Sequence, residues 1–372
     1  MAESQLHYRK DKGHMIKLAI NFLSSPLYSF TAFLALFIWA MKRMDIVGTK
    51  KFGLGLLAFT LVVFTWMVSD PIFFSIISLP DNIPIIILNA LVLWTTWFAL
   101  YKGHQNDLRI AAGEPPIEGT PENREKVWAW PNLVYTELFC GILCTIFLVV
   151  WAIFFKAPLE EPANPTWAPN PAKAPWYFLG LQEMLVYFDP WMAGVVLPGL
   201  ILVGLIAIPF IDINPKGNGY YTFKERKFAI AGFLFGWLGL WVFLIQVGTF
   251  LRGPNWTFYG PFEYWDAHKV VAENNINLSE IVWIKMLNTA LPKNIFLREV
   301  FGLVAIGLYL FGTVPLITKK WGQSYLNRMG AIRYYIMIFL ILGMMSLPIK
   351  MYLRWFFNLK YLLAMPEFEL NL

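Results

Sequence analysis

Charge is what this sequence has least of. Only 15% of its 372 residues are Asp, Glu, Lys or Arg, against 58% hydrophobic. Soluble domains carry about a quarter charged residues, the polar surface needed to cover a core. A chain this poor in charge leaves apolar surface outside, and lipid is the solvent that accepts it. Cysteine is nearly missing as well. Cys140 and Cys144 are the only two, one helical turn apart in an apolar run. This excludes a disulfide framework, zinc-ligand spacing and a Cys-x-x-Cys-His haem attachment, and leaves packing as their expected role. The four histidines, His7, His14, His104 and His268, all fall outside the long apolar runs. A transmembrane haem b needs inward-facing axial ligands, usually His, so a bis-histidine haem on this chain is not expected. Walker loops, the paired-glycine dinucleotide fingerprint and Ser or Cys triads are also missing. The net charge of +6 does not indicate nucleic acid, because no basic stripe with interleaved aromatics occurs. No small-residue cleavage site follows the first apolar stretch, so a removable signal peptide is not expected.

What is there is a series of apolar runs. A helix needs about 20 such residues to cross a bilayer. Eight runs qualify, at approximately 18–41, 52–69, 83–101, 133–155, 192–211, 228–250, 297–317 and 332–350. They are continuous, without period-two alternation, so the expected fold class is all-α, a polytopic membrane protein rather than a barrel. Aromatic residues make up 17% of the chain, and many sit near the ends of the runs, as at a membrane interface.

Charge then orients the spans. The loops at 42–51, 102–131, 212–227 and 318–333 each carry four or more basic residues and fall on one side, assigned to the cytoplasm. The loops at 70–82 and 156–191 are nearly free of Lys and Arg and belong outside. The same scheme puts the tail carrying His7, Arg9, Lys10 and Lys12 outside, which conflicts. Either the first run does not span fully, with residues 15–25 as an interfacial helix, or the later loops override the tail. The outer segment 251–296, with Arg252-Gly-Pro-Asn-Trp256, reads as a folded cap.

The outer loop 156–191 is the most informative stretch. Prolines at 158, 162, 165, 169, 171 and 175 hold its first part extended. From Trp176 to Tyr187 the prolines stop and a short amphipathic helix is expected, lined by Trp176, Tyr177, Phe178 and Tyr187, with Glu183 as its ionisable group. On the residues alone this is equally an interfacial helix with an aromatic belt.

Three motifs narrow the reading. Trp128-Ala-Trp-Pro-Asn132, Glu161-Pro-Ala-Asn-Pro165 and Pro175-Trp-Tyr-Phe-Leu179 occur in this order over about 60 residues. In order and spacing they resemble the C-terminal half of cytochrome b, or the separate subunit IV of split cytochrome bc complexes. The resemblance continues more weakly to about 317. It implies a haem-free subunit that forms part of an outer-face quinol-oxidation site, with quinol as substrate. It also implies haem b, haem c and an iron–sulfur cluster on partners: a haem-bearing cytochrome b subunit, a Rieske protein and a c-type cytochrome. A dimeric multi-subunit complex in a bacterial inner membrane, with proton release outside, completes the expectation. Residues 1–127 would then be an N-terminal extension of about three spans, 128–317 the family-like region, and 318–372 an extra span and tail.

The sequence departs from the family at one important position. The family's signature is Pro-Glu-Trp-Tyr, whose glutamate is thought to accept a quinol proton. Matching on Trp176 and Tyr177 puts Pro175 at that position, and proline takes no proton. Glu183, seven residues after Trp176 and so on roughly the same helix face, is the candidate replacement and the expected catalytic residue. A carboxyl group at an apolar boundary suits proton transfer near neutrality. The competing reading pairs Glu183 with a basic residue of a partner. Two other polar residues lie in spans. Glu137 is expected to snorkel or to pair with Lys126, or else to serve proton uptake at an inner quinone site. Gln246 is expected to bond another helix. A structural anchor with a degenerate quinol pocket is the alternative function. A transporter is disfavoured because the spans offer almost no polar midplane residues.

Overall fold

The computed structural model of the chain describes residues 14–123, 126–155, 162–166, 168–214, 221–272, 274–368 and 370–372. His7, Arg9, Lys10, Lys12, Arg124, Lys156, Glu161 and Lys216 lie outside the described residues.

The all-α polytopic class holds. In chain order the main helices are α1 His14–Leu23, α2 Pro26–Lys42, α3 Lys50–Val68, α4 Ile83–Ala111 and α5 Ala129–Phe154. They continue with α6 Leu179–Met184, α7 Met192–Ile211, α8 Phe223–Phe250, α9 Val300–Met329 and α10 Ala331–Phe357. Seven of them are long and apolar enough to cross a membrane: α3, α4, α5, α7, α8, α9 and α10. The α1–α2 pair makes an eighth candidate, bent by 78°. Helices suit these runs because lipid offers no partner for a backbone amide, so each must be bonded within its own segment.

The first apolar run is broken near its start. Ser25 is extended and Pro26 opens α2, a position where its missing N–H costs nothing. Helix α1 then docks against the segments that carry Asp70 and Phe262. Lys17 pairs with Asp70 at 3.0 Å, and the Phe262 amide donates to Asn21 Oδ1 at 2.9 Å. The run at 18–41 is therefore not one straight span.

Two loops assigned from charge are partly helical. Helix α4 runs ten residues past its expected end to Ala111, and α9 continues through Lys319 and Lys320 to Met329. Lys and Arg are good helix formers that carry their heads out to water on apolar stems, so charge marks the interface but not the helix end. The stop after α9 is Gly330, whose φ of +81° favours glycine.

Helix α4 is tied to α8 inside the membrane. Asn89 and Gln246 exchange two hydrogen bonds, at 2.8 and 2.7 Å, the bond between helices expected of Gln246. Substituting Gln246→Leu leaves Asn89 without its partner. The expected loss is about 0.6 kcal/mol, the average for such pairs in membranes, read from thermal unfolding in detergent; a loss above about 2 kcal/mol contradicts it.

Among the seven helices long enough to cross a membrane, α5 alone has no buried residue. Cys140 and Cys144 are both exposed, so they do not pack inside this chain, contrary to the sequence expectation. Glu137 on the same helix forms no ion pair with Lys126 among the described residues.

The C-terminal tail returns to the outer cap. Strand β1 (Ile276–Asn277) pairs in parallel with β2 (Leu359–Tyr361), and β3 (Ala364–Met365) pairs antiparallel with β4 (Leu370–Asn371). Arg298 bonds Glu367 at 2.9 Å, buried Glu299 accepts from the Ala364 amide at 3.0 Å, and Lys360 donates to the Leu185 carbonyl at 3.1 Å. A Cβ on Gly302 would overlap the Leu362 carbonyl oxygen, so α9 and the tail touch backbone to backbone. The segment 358–372 is thus stitched into the same cap as the loop 162–191.

Candidate functional site at the outer surface

The chain before α6 is clamped rather than loose. Gln182 accepts from the Ala174 amide at 2.9 Å and donates to the Ala172 carbonyl at 2.8 Å. Asn170 accepts from the Asn255 amide at 2.6 Å, so the extended arm is fixed to the cap. Pro175 then caps a tight turn, Trp176–Phe178, which leads into α6.

Helix α6 lies against the outer end of α8 at a distance that two glycines permit. A Cβ on Gly180 would press on the Ile245 side chain at 3.3 Å, and one on Gly248 would lie 3.2 Å from the Leu179 carbonyl oxygen. The buried face of α6 is Leu179, Gly180, Glu183 and Met184. Trp176, Tyr177 and Phe178 stay outside, at 39%, 47% and 52% exposure, large values for three adjacent aromatic rings. The Trp176 and Tyr177 rings meet edge-on at 5.6 Å, and Tyr177 lies 5.6 Å from the Trp241 ring of α8. The Trp241 indole N–H is buried and has no hydrogen-bond partner among the described residues.

Glu183 is fully buried. Its carboxylate accepts two bonds from Arg252, at 2.6 Å from Nη2 and 2.9 Å from Nε, and Arg252 also donates to the Trp256 carbonyl at 3.0 Å. Glu183 therefore does not share an exposed face with Trp176. The carboxylate turns inward because the bidentate guanidinium fork at the end of α8 offers a stronger partner than the surface. The basic partner belongs to this chain.

Two more titratable groups stand beside the pair. Lys173 donates to the Thr249 carbonyl at 2.7 Å and lies over the Trp265 ring at 5.0 Å. Burial pushes its ammonium down to about 8, against the opposing pull of the Glu183 charge. Tyr187 is buried with its ring edge-on to Trp355 of α10, at 5.9 Å. Burial first, and then the Glu183 charge, push its hydroxyl upward. The expected site residues thus divide into an exposed aromatic set, Trp176, Tyr177 and Phe178, and a buried polar set, Glu183 and Tyr187. Sequence reasoning missed Arg252, Lys173 and Trp241 as site residues. Arg252 did carry a signal: it is the sole Lys or Arg between residues 228 and 268.

Three of the four histidines lie among the described residues. His104 is at the basic end of α4 against Gly48, His268 is exposed in the cap, and His14 begins α1.

Residues 162–260 match the family profile described as cytochrome b(C-terminal)/b6/petD. This part of the chain is similar to the C-terminal part of cytochrome b. The matched stretch contains the clamped arm, α6 and Arg252. Cytochrome b of Acanthamoeba castellanii is 29% identical over 146 residues, 37% of this chain and 38% of that protein. The chain therefore aligns with well under half the length of that curated relative. No solved structure matches.

Proposed function

We propose that the chain is a haem-free, subunit-IV-like membrane subunit of a cytochrome bc-type complex, and that the turn Trp176–Phe178 forms one wall of its outer quinol-oxidation site. The observation that carries this is the exposed aromatic triplet, held rigid in the family-matched segment, with a buried carboxylate behind it. Three rings at a membrane surface suit a flat apolar quinol head. The Trp241 N–H adds a donor for a quinol or quinone oxygen, since a buried donor left unpaired is costly until a ligand engages it.

In this reading Glu183 takes one of the two protons that quinol oxidation releases. Lys173 stands beside it as a second group that changes charge near neutral pH. The electrons go to partners: a haem-bearing cytochrome b subunit, a Rieske iron–sulfur protein and a c-type cytochrome. The unburied circumference of α5 is the surface on which the haem-bearing subunit fits. Residues 1–127 and 318–372 flank the family-like region 128–317, and the extra N-terminal spans dock accessory redox subunits, in a bacterial inner membrane and as a dimer of the complex.

The Glu183–Arg252 pair favours a second reading. A carboxylate already engaged by both guanidinium nitrogens is a structural clip, and with Pro175 at the signature position the pocket would be degenerate and the chain an anchor. A photoreactive quinol analogue separates the two. The first reading expects labelling of the peptide containing 176–178, suppressed by excess quinol. No labelling there, in a complex that turns over, contradicts it.

A further inference from the structure

We propose that the groove between α9 and α10 at the basic face of the protein is a binding site for the headgroup of an anionic phospholipid. It lies at the opposite end of the helices from the aromatic turn and does not depend on the quinol reading.

The groove encloses about 560 Å³ and is lined by Val314, Pro315, Thr318, Lys319, Gln323 and Tyr335. That volume is in the range of small-ligand sites. Its lining changes along its length: Val314 and Pro315 lie toward the membrane interior, and Lys319, Gln323 and Tyr335 toward the helix ends that meet at Gly330. Further in, the Phe311 and Phe339 rings meet edge-on at 5.9 Å across the same two helices, giving acyl chains an apolar track.

The wall is fixed. Thr318 Oγ1 and the Tyr334 hydroxyl bond at 2.9 Å, and a Cβ on Gly322 would overlap that hydroxyl. The polar groups in front of it are available. Lys319 is exposed and forms no ion pair among the described residues, and Gln323 spends one amide hydrogen on Asn327 at 3.1 Å.

Charge decides the ligand. Residues 300–366 contain no Asp or Glu, yet include Lys319, Lys320, Arg328 and Arg333 near this end. Nothing in these helices neutralises the groove, and a basic pocket between membrane helices on this face suits an anionic headgroup. A free phosphate would fill only the polar half. A phospholipid fills both, with its phosphodiester on Lys319 and Gln323 and its chains past Pro315. Trp321, 74% exposed with Lys320 over its ring at 5.9 Å, marks the interface level at which such a headgroup sits.

The test is native mass spectrometry of the full chain in neutral detergent, titrated with phosphatidylglycerol or phosphatidylcholine of matched acyl chains. Phosphatidylglycerol is expected to bind more tightly, and Lys319→Ala to weaken it about fivefold, the effect of roughly 1 kcal/mol per basic residue at a lipid surface. Lys51→Ala, an exposed lysine on the same face, is expected to change it less than about twofold, and excess inorganic phosphate not to compete. Equal binding of the two lipids overturns the proposal, as does an equal effect of the two lysine variants. Displacement by inorganic phosphate overturns it in favour of a free-anion site.

Discussion

Glu183→Gln is expected to lower quinol oxidation about a hundredfold in a complex that still assembles, the lower range for loss of a positioned proton acceptor. Activity alone does not separate chemistry from structure, because Glu183 is also half of a buried ion pair. Removing one partner of such a pair costs about 3–5 kcal/mol, since the other charge is left alone. Arg252→Gln supplies the comparison. It breaks the same pair and keeps the carboxylate. If Glu183 only clips α6 to α8, the two variants lose stability and turnover together. If it accepts a proton, Glu183→Gln loses far more turnover for a similar loss of thermal midpoint. The double variant Glu183→Leu with Arg252→Met sharpens this, because replacing both charges by apolar groups is often neutral or stabilising. It is expected to recover the midpoint without recovering turnover. Wild-type turnover in Glu183→Gln would end the case for Glu183 as the acceptor.

Lys350→Met is expected to stabilise the protein by about 1–4 kcal/mol, the range for buried ion pairs replaced by apolar residues of similar volume, here applied to one buried cation with no counter-ion beside it among the described residues. Lys350 is 2% exposed on α10, and its Nζ has no hydrogen-bond partner among the described residues. Its neighbours are the rings of Phe188 at 5.5 Å and Tyr361 at 5.8 Å. The charged groups acting on it are Lys360 and Arg354, both cations. Ring faces attract an ammonium by about 2 kcal/mol when desolvated, less than the several kcal/mol that burying it costs. Methionine keeps the length and fills the same space. The thermal midpoint of the purified protein should therefore rise by several degrees; an unchanged or lower midpoint would show that Lys350 holds something the cation–ring contacts do not explain.

The spans were legible because lipid imposes one solution on a continuous apolar run, and all the long runs became helices. Their ends were less legible. Lys319 and Lys320 mark an interface, yet α9 runs on to Met329, because charge position and helix termination answer to different physics. The bend at Ser25–Pro26 matches one of the two readings offered for the first run, that it does not span as one straight helix. At the site, the rigid arm and exposed rings follow from proline spacing and the Trp-Tyr pair. The inward turn of Glu183 does not follow, because it depends on Arg252, 69 residues later, and no local periodicity reports such a contact. The return of 358–372 into the outer cap was equally hidden: two-residue strands such as β1 and β2 carry too few residues for any alternation to show.

The central claim is that the Trp176–Phe178 turn is a wall of an outer quinol site. The direct measurement is the haem b and Rieske spectra of the purified complex as an outer-site quinol inhibitor is added, in wild type and in a variant with Trp176, Tyr177 and Phe178 all changed to Ala. A saturable spectral shift in the wild type, weakened at least tenfold in an intact variant complex, is the predicted result. An identical shift in both, or none in a wild-type complex that oxidises quinol, contradicts the account.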